Sequence, residues 1–177
     1  MVPSGYAIRE LVLGDAAALA AAYSRNRDHL ARWDPLRDAS FYTEAGQAVA
    51  VAGTLAGVET GQQAAWVLTH GDAIVGRVNL NNVVLGVLRS ASVGYWVDAD
   101  HLHRGLATAA VEHAVEGARE VGLHRVEAGT LVHNVASQRV LLGCGFTEYG
   151  LAPRFLFIDG TWQDHRLFQR ILHDHPI

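Results

Sequence analysis

Residues 93–110 read VGYWVDADHLHRGLATAA, and this stretch decides the fold of the chain. It joins a strand-like segment to a helix through a loop that contains Gly105. The start of a helix leaves backbone N–H groups without partners and carries a partial positive charge. Because glycine lets a ligand approach the backbone closely, the pattern fits either a simple turn or an anion site for a pyrophosphate. The amides that would face the anion belong to Arg104, Gly105, Leu106, Ala107 and Thr108.

The chain before this loop predicts an antiparallel meander. Residues 64–69 and 73–80 are apolar runs on either side of the turn His70-Gly71-Asp72, which is a hairpin signal. Residues 89–98 then alternate, with apolar side chains at the odd positions from Ala91 to Val97. This alternation predicts a third antiparallel strand with one core face and one face free for function.

The remaining segments predict a mixed α/β chain in a single domain spanning residues 1–177. Residues 6–12 read as a first strand, and Asp15 is a suitable N-cap for an Ala-rich helix to residue 29. An irregular loop leads to Thr43, the expected cap of a helix over residues 43–57. The later predicted elements are a helix over 107–122, a strand over 125–132, a helix over 134–142 and a final hairpin turning at Asp159-Gly160.

Composition excludes several classes of function. The chain has 177 residues, a formal net charge of −4 and no run of Lys or Arg, which argues against a direct contact with nucleic acid. The sequence shows no long apolar span or signal-type start, so we expect no membrane contact and a cytoplasmic protein. Cys144 is a single cysteine that should be a packed side chain. The His101/His103 and His173/His175 pairs offer too few ligands for a metal.

Two motifs follow one another in the second half of the chain, RGLAT at residues 104–108 and NVASQRVLLGCGF at 134–146. They resemble the coenzyme A loop of the GNAT acetyltransferases and the motif that follows this loop in that family. Leu102 stands where the family usually has Gln or Arg, whereas Gly105 and Ala107 fit. The segments NRDHLARWDPLRD, NNVVLG, VGYWV and IDGTWQDH resemble the RimJ/RimL branch in the same order, so the resemblance covers nearly the whole chain.

The resemblance implies a GNAT fold, with a mixed central sheet of about seven strands, about four helices and a V-shaped splay after the fourth strand. It also implies acetyl-CoA as co-substrate and no metal. Ser137 is the implied catalytic residue, a hydrogen-bond donor to the leaving sulfur, because Leu141 stands where many members have a tyrosine acid. By spacing alone, Asn134 is better explained as an N-cap. The implied cofactor-binding residues are Trp96, Val97, His103, Arg104, Gly105, Leu106, Ala107, Thr108, Asn134 and Ser137.

The resemblance further implies direct acetyl transfer to the N-terminal amine of a protein, such as a ribosomal protein; a homodimer is left open. An α-amine has a pKa of about 8 against about 10.4 for lysine, so it needs only a weak base. The implied substrate-binding residues are Trp33, Arg37, Phe41, Asn82, Asp164 and His165. Simpler explanations are a core aromatic for Trp33 and a cross-strand contact for Asp164 and His165. The alternatives are a small-amine or longer-chain acyltransferase and a non-catalytic acyl-CoA-binding regulator.

Overall fold

The computed structural model describes residues 1–175; residues 176 and 177, which the predicted domain includes, lie outside this range. The helices are α1 Ala16–Arg25, α2 Arg27–Ala31, α3 Glu44–Glu59, α4 Leu106–Glu120 and α5 Val135–Gly143. The strands are β1 Tyr6–Glu10, β2 Ala64–His70, β3 Ala73–Val84, β4 Ser90–Val97, β5 Arg125–Leu131, β6 Thr147–Ile158 and β7 Thr161–Ile171. Within the described residues, no helix is both long enough and apolar enough to cross a membrane.

The seven strands form one mixed sheet in the order β1-β2-β3-β4-β5-β7-β6. All neighbours are antiparallel except β4 and β5, which are parallel. These two strands pair only where Ser90 to Ser92 meet Arg125 to Glu127. Beyond this point they separate, which confirms the predicted V-shaped splay. We call the opening between residues 93–97 of β4 and residues 128–131 of β5 the cleft.

Helices cover the sheet on two faces, and each face has its own core. Helices α4 and α5 pack on one face, where α4 presents the apolar stripe that the sequence predicts, from Ala110 to Ala118. Helices α1 and α3 pack on the other face of strands β2 and β3, around Leu19 and Val51. Burial of these apolar side chains stabilises the fold by about 25 cal/mol per Å² of area removed from water. One face of β4 therefore packs against the core under α4 and α5, and the other face packs against the core under α1 and α3.

The first predicted helix is interrupted at Asn26, so residues 1–175 contain five helices. Asn26 is buried, and its side-chain amide donates to the Ala22 carbonyl at 2.9 Å. Its side-chain oxygen accepts from the Ala99 N–H at 2.8 Å. An asparagine side chain that bonds backbone groups competes with the helix, so α1 ends and α2 begins at this residue. The expected N-cap role of Asp15 is also corrected, since its carboxylate binds Arg9 and the Val12 N–H instead.

The second helix begins as the sequence predicts. The Thr43 hydroxyl oxygen accepts from the Gly46 N–H at 3.1 Å, which is a side-chain N-cap. The chain just before it, Ala39–Tyr42, forms a short 3₁₀ turn. This turn and the loop preceding it lie beside α1, because Phe41 packs at 4.8 Å from the Tyr23 ring. The irregular segment of the sequence thus packs against α1 through Phe41.

Candidate active site

The inner wall of the cleft is the backbone of β4. Asp98, just after this strand, donates its N–H to the Val75 carbonyl in β3 at 2.9 Å. Because N–H groups alternate in direction along a strand, the N–H of Val97 points away from β3 and into the cleft. From Ser92 to Val97, β4 stays paired with β3 in a regular register, whereas its pairing with β5 ends at Ser92. Of the predicted pair Trp96 and Val97, Val97 is the residue whose N–H can meet a group in the cleft.

The Trp96 side chain lies on the other face of the sheet. Its indole N–H donates to the Tyr23 hydroxyl at 3.0 Å, and the two rings are 4.9 Å apart. Tyr23 is buried, and this burial raises its pKa, which keeps the hydroxyl neutral. Trp96 thus fixes β4 against α1, and only its backbone borders the cleft.

The loop after β4 has the geometry of an anion site. His103 and Gly105 both adopt left-handed backbone angles, with φ of 58° and 76°. The helix α4 begins directly after Gly105, and its first intrahelical bond runs from the Ala109 N–H to the Gly105 carbonyl. Among residues 1–175, no protein group accepts a hydrogen bond from the N–H groups of residues 103–108. These amides are the orphan donors of a helix start, available to a ligand.

Asp98 holds this loop in place. Its carboxylate accepts from the Asp100 N–H at 3.0 Å and from the Arg25 side chain at 2.8 Å, and only 1% of the residue is exposed. Burial raises the pKa of Asp98, but the hydrogen bonds from its neighbours outweigh burial and leave this pKa below its ordinary value. Since Asn26 also accepts from the Ala99 N–H, the junction of α1 and α2 braces the start of the loop.

The start of α5 brings Ser137 to the cleft. The Asn134 side chain accepts from the Ser137 N–H at 3.1 Å, which confirms the N-cap reading of Asn134. The Ser137 hydroxyl lies 2.8 Å from the Tyr95 hydroxyl, and Tyr95 also reaches the Ser137 carbonyl at 3.3 Å. Leu141 is fully buried, so this position supplies packing and no acid. Sequence reasoning missed Tyr95, although a tyrosine on the core face of a strand signals a hydroxyl that needs a partner.

Trp33 lies at the other rim of the cleft. Its ring is 5.6 Å from the ring of His133, tilted by 32°. His133 directly precedes Asn134 and is exposed, so the loop after α2 touches the turn between β5 and α5. Trp33 is half-buried and belongs to neither apolar core. Sequence reasoning also missed His133, whose only signal was its place beside the NVAS motif.

Arg37 and Phe41 lie together in a cavity that Trp33 does not line. This cavity has a volume of about 120 Å³. The Arg37 guanidinium stacks over the Phe41 ring at 4.9 Å. Burial raises the pKa of Asp34, another lining residue, although the nearby Arg37 lowers it. The cavity is lined by Tyr23, Arg27, Asp28, Leu30, Ala31, Asp34, Pro35, Leu36, Arg37, Phe41 and Tyr42.

His165 lies in β7 opposite Leu131, which is at the end of β5 that borders the cleft. It is 3% exposed, and its Nδ1 lies 3.1 Å from the Gln163 carbonyl oxygen. Because a carbonyl can only accept, Nδ1 carries the proton and Nε2 keeps a lone pair. Burial lowers the pKa of His165, so the ring is neutral at pH 7. The Phe155 ring covers it at 5.4 Å.

Asp164 and Asn82 have local roles in their strands. The Asp164 carboxylate accepts from the Arg154 N–H in β6 at 2.8 Å, which is the cross-strand contact that the simpler explanation expected. Asn82 has a φ of 52° and lies where β3 bulges against the start of β4. The start of β4 pairs with the start of β5, whereas His165 pairs with Leu131 at the other end of β5. The structure therefore does not bring Asn82 together with the other expected acceptor residues.

The remaining reactive side chains are accounted for by packing. Cys144 is 1% exposed, and burial raises the pKa of its thiol to about 11, so it stays a neutral core residue. The Nδ1 atom of His101 forms a hydrogen bond with the Tyr6 hydroxyl at 2.9 Å. Over residues 1–175, no three His, Cys, Asp or Glu side chains converge in a way that could hold a metal ion.

Comparisons with known proteins agree with this geometry. A family model described as an acetyltransferase (GNAT) domain matches residues 7–147. The chain is 32% identical to the probable N-acetyltransferase YjcK of Bacillus subtilis (strain 168), over 90% of each chain. It is 32% identical to the [ribosomal protein uS5]-alanine N-acetyltransferase of Escherichia coli (strain K12), covering 86% of this chain and 80% of that protein.

A solved structure shows the same architecture. Mycobacterium smegmatis RimJ in complex with CoA-disulfide superposes with a TM-score of 0.91 at 33% identity, covering 96% of this chain and 84% of that one. The family match, the splayed sheet and the unpartnered amides after β4 agree with one another. The chain therefore belongs to the GNAT acetyltransferase family and is an acetyl-CoA-dependent N-acetyltransferase.

Proposed function

We propose that this enzyme acetylates the N-terminal α-amine of a protein, with a ribosomal protein as the favoured acceptor and a cytoplasmic location to match. The relative from Escherichia coli is named for modifying an alanine of ribosomal protein uS5, and its similarity runs over 86% of this chain. The structural similarity to Mycobacterium smegmatis RimJ covers 96% of this chain, which includes both segments expected to bind the acceptor, the Trp33 loop and the β6–β7 hairpin. We also propose that residues 1–177 form one catalytic domain.

The cofactor half of the site is assigned to the α4 and α5 side of the sheet. The free amides of residues 103–108 would bind the pyrophosphate of acetyl-CoA, since they are donors at a helix start. The N–H of Val97 would donate a hydrogen bond to the thioester oxygen as negative charge builds on that oxygen. Asn134 would border the pantetheine arm, and Ser137 would donate to the sulfur. The observation that carries this assignment is the cleft itself, where β4 and β5 part beyond Ser92.

The acceptor half is assigned to the opposite face. There the Trp33–His133 contact and the buried His165 flank the end of β5. The amine nitrogen would attack the thioester carbonyl carbon, the carbon–sulfur bond would break to release coenzyme A as the thiolate, and one amine proton would pass to a water molecule. His165 has a lone pair at Nε2, so it can accept a hydrogen bond from that amine. Because an α-amine is already partly neutral at pH 7, a strong base is not required.

The test uses the 177-residue chain, acetyl-CoA and a matched set of acceptors. Peptides with a free N-terminal Ala or Ser should be acetylated, and the same peptides with a blocked N-terminus should not. A panel of small amines and a longer acyl-CoA serve as competing substrates. Turnover on small amines alone would replace the peptide assignment. Acetyl-CoA binding without turnover on any acceptor would instead indicate a regulator.

A further inference from the structure

One hydrogen bond crosses the cleft at the place assigned to the leaving sulfur. Tyr95 projects from β4, in the part of the strand that no longer pairs with β5. Its hydroxyl lies 2.8 Å from the Ser137 hydroxyl and 3.3 Å from the Ser137 carbonyl oxygen at the start of α5. Tyr95 thus joins β4 to the start of α5.

The direction of this bond decides where the Ser137 proton can point. A tyrosine hydroxyl has one proton, and a backbone carbonyl can only accept. The hydroxyl oxygen and the carbonyl oxygen of Ser137 can both accept the single Tyr95 proton, and the hydroxyl oxygen is the nearer of the two, at 2.8 Å against 3.3 Å. The Tyr95 proton is therefore assigned to the serine hydroxyl oxygen; the reverse direction, with Ser137 donating to Tyr95, would leave no serine proton for the sulfur. When Tyr95 donates to the serine hydroxyl oxygen, the serine proton is turned away from Tyr95 and is free for another acceptor. Burial raises the pKa of Tyr95 to about 12, so it remains a donor across the neutral range.

The surroundings make this orientation rigid. The Tyr95 side chain packs against the core under α4, and the Ser137 N–H is fixed by the Asn134 cap. Leu141, one turn along the same face of α5, is completely buried. A side chain held by packing and by two hydrogen-bond partners loses little further freedom when the substrate binds, which is what preorganised donation requires.

We propose that Tyr95 is a positioning residue, which holds the Ser137 hydroxyl so that its proton faces the departing sulfur. This inference rests on the proposed role of Ser137. No proton leaves Tyr95 in this scheme; Ser137 donates a hydrogen bond to the sulfur as the carbon–sulfur bond breaks. Tyr95→Phe keeps the ring in the core and removes only the hydroxyl, so the fold should be retained. One neutral hydrogen bond corresponds to a loss in turnover of about 3- to 10-fold.

The test is a double-mutant cycle on turnover at saturating substrates, with acetyl-CoA affinity measured by calorimetry. Tyr95→Phe and Ser137→Ala should each lower kcat and leave acetyl-CoA affinity nearly unchanged. In the Ser137→Ala background, Tyr95→Phe should have no further effect, because Tyr95 acts through the missing hydroxyl. Tyr149→Phe is the matched control: it also removes a bonded hydroxyl, from an exposed tyrosine that donates to Glu127 at 2.6 Å, and should leave kcat unchanged.

Each contrary result has a separate meaning. If the two losses multiply in the double variant, Tyr95 acts independently of Ser137 and the inference is overturned, while the role of Ser137 stands. If Tyr95→Phe turns over like the wild type, the inference is likewise overturned. If Ser137→Ala turns over like the wild type, the proposed role of Ser137 fails, and the inference fails with it.

Discussion

Replacing Gly105 with alanine should weaken acetyl-CoA binding and cost only a little stability. Gly105 has a φ of 76°, where an alanine costs about 1–2 kcal/mol of backbone strain. Apart from the two chain neighbours of Gly105, a Cβ at this position would meet no atom of residues 1–175 within 4 Å, so the methyl group would project into open space. That space is where the pyrophosphate should approach the free amides. Relief of the strain would also turn those amides away from the ligand.

The expected loss of acetyl-CoA affinity in Gly105→Ala depends on how many hydrogen bonds from the loop amides are lost. One hydrogen bond to a charged group contributes about 1.5–3 kcal/mol. Loss of one such bond raises the Kd for acetyl-CoA about 10- to 100-fold, since each 1.4 kcal/mol is about tenfold. Gly122→Ala is the control. Gly122 has a φ of 73° at the other end of α4, and a Cβ there also meets nothing within 4 Å in the described part of the chain, so the strain is matched.

Calorimetry with acetyl-CoA and thermal unfolding of both variants test this reasoning. Both variants should show similar small losses of stability, and only Gly105→Ala should bind acetyl-CoA more weakly. Wild-type affinity in Gly105→Ala, with the fold intact, would refute the assignment of the loop to the pyrophosphate. Equal weakening in both variants would attribute the loss to strain alone.

The other predictions concern the acceptor, the leaving group and the loop support. Trp33→Ala should raise the peptide KM several-fold and leave acetyl-CoA affinity unchanged, as calorimetry and steady-state kinetics can show; an unchanged KM would place the peptide elsewhere. Ser137→Ala should lower kcat more than acetyl-CoA affinity, and equal turnover would assign the sulfur contact to another group. Asp98→Asn should lower the free energy of unfolding by about 1–3 kcal/mol at pH 7. Because the folded-state pKa of Asp98 is lowered, its contribution is complete above the unfolded value of about 3.9 and is lost as the pH falls through the folded value. Urea unfolding should therefore show a smaller gap between wild type and variant at pH 3 than at pH 7, and an equal gap at both would contradict it.

Local signals predicted most of the elements correctly. The Thr43 cap, the alternation in β4 and the helix start after Gly105 all appear in the structure. Each depends on residues within a few positions of one another, which is why single-sequence reasoning can find them. The simpler explanations of Asn134 as a cap and of Asp164 as a cross-strand partner were also correct locally.

The features that sequence reasoning missed depend on contacts between distant segments. The helix break at Asn26 has its partner at Ala99, 73 residues later. The Tyr95–Ser137 bond spans 42 residues. The Trp33–His133 contact joins segments a hundred positions apart, on loops without a regular period. A local hydrophobic period cannot predict contacts between such distant residues. The separation of β4 and β5 that forms the cleft was expected only from the resemblance to the family.

The most direct test of the central claim is the position of the acetyl group on one peptide that has both a free N-terminal alanine and an internal lysine. The enzyme would be incubated with acetyl-CoA and this peptide at neutral pH, and the product would be fragmented by tandem mass spectrometry. Acetylation of the α-amine, with the lysine unmodified, is the predicted result. Acetylation of the lysine side chain with a free N-terminus would contradict the proposed acceptor.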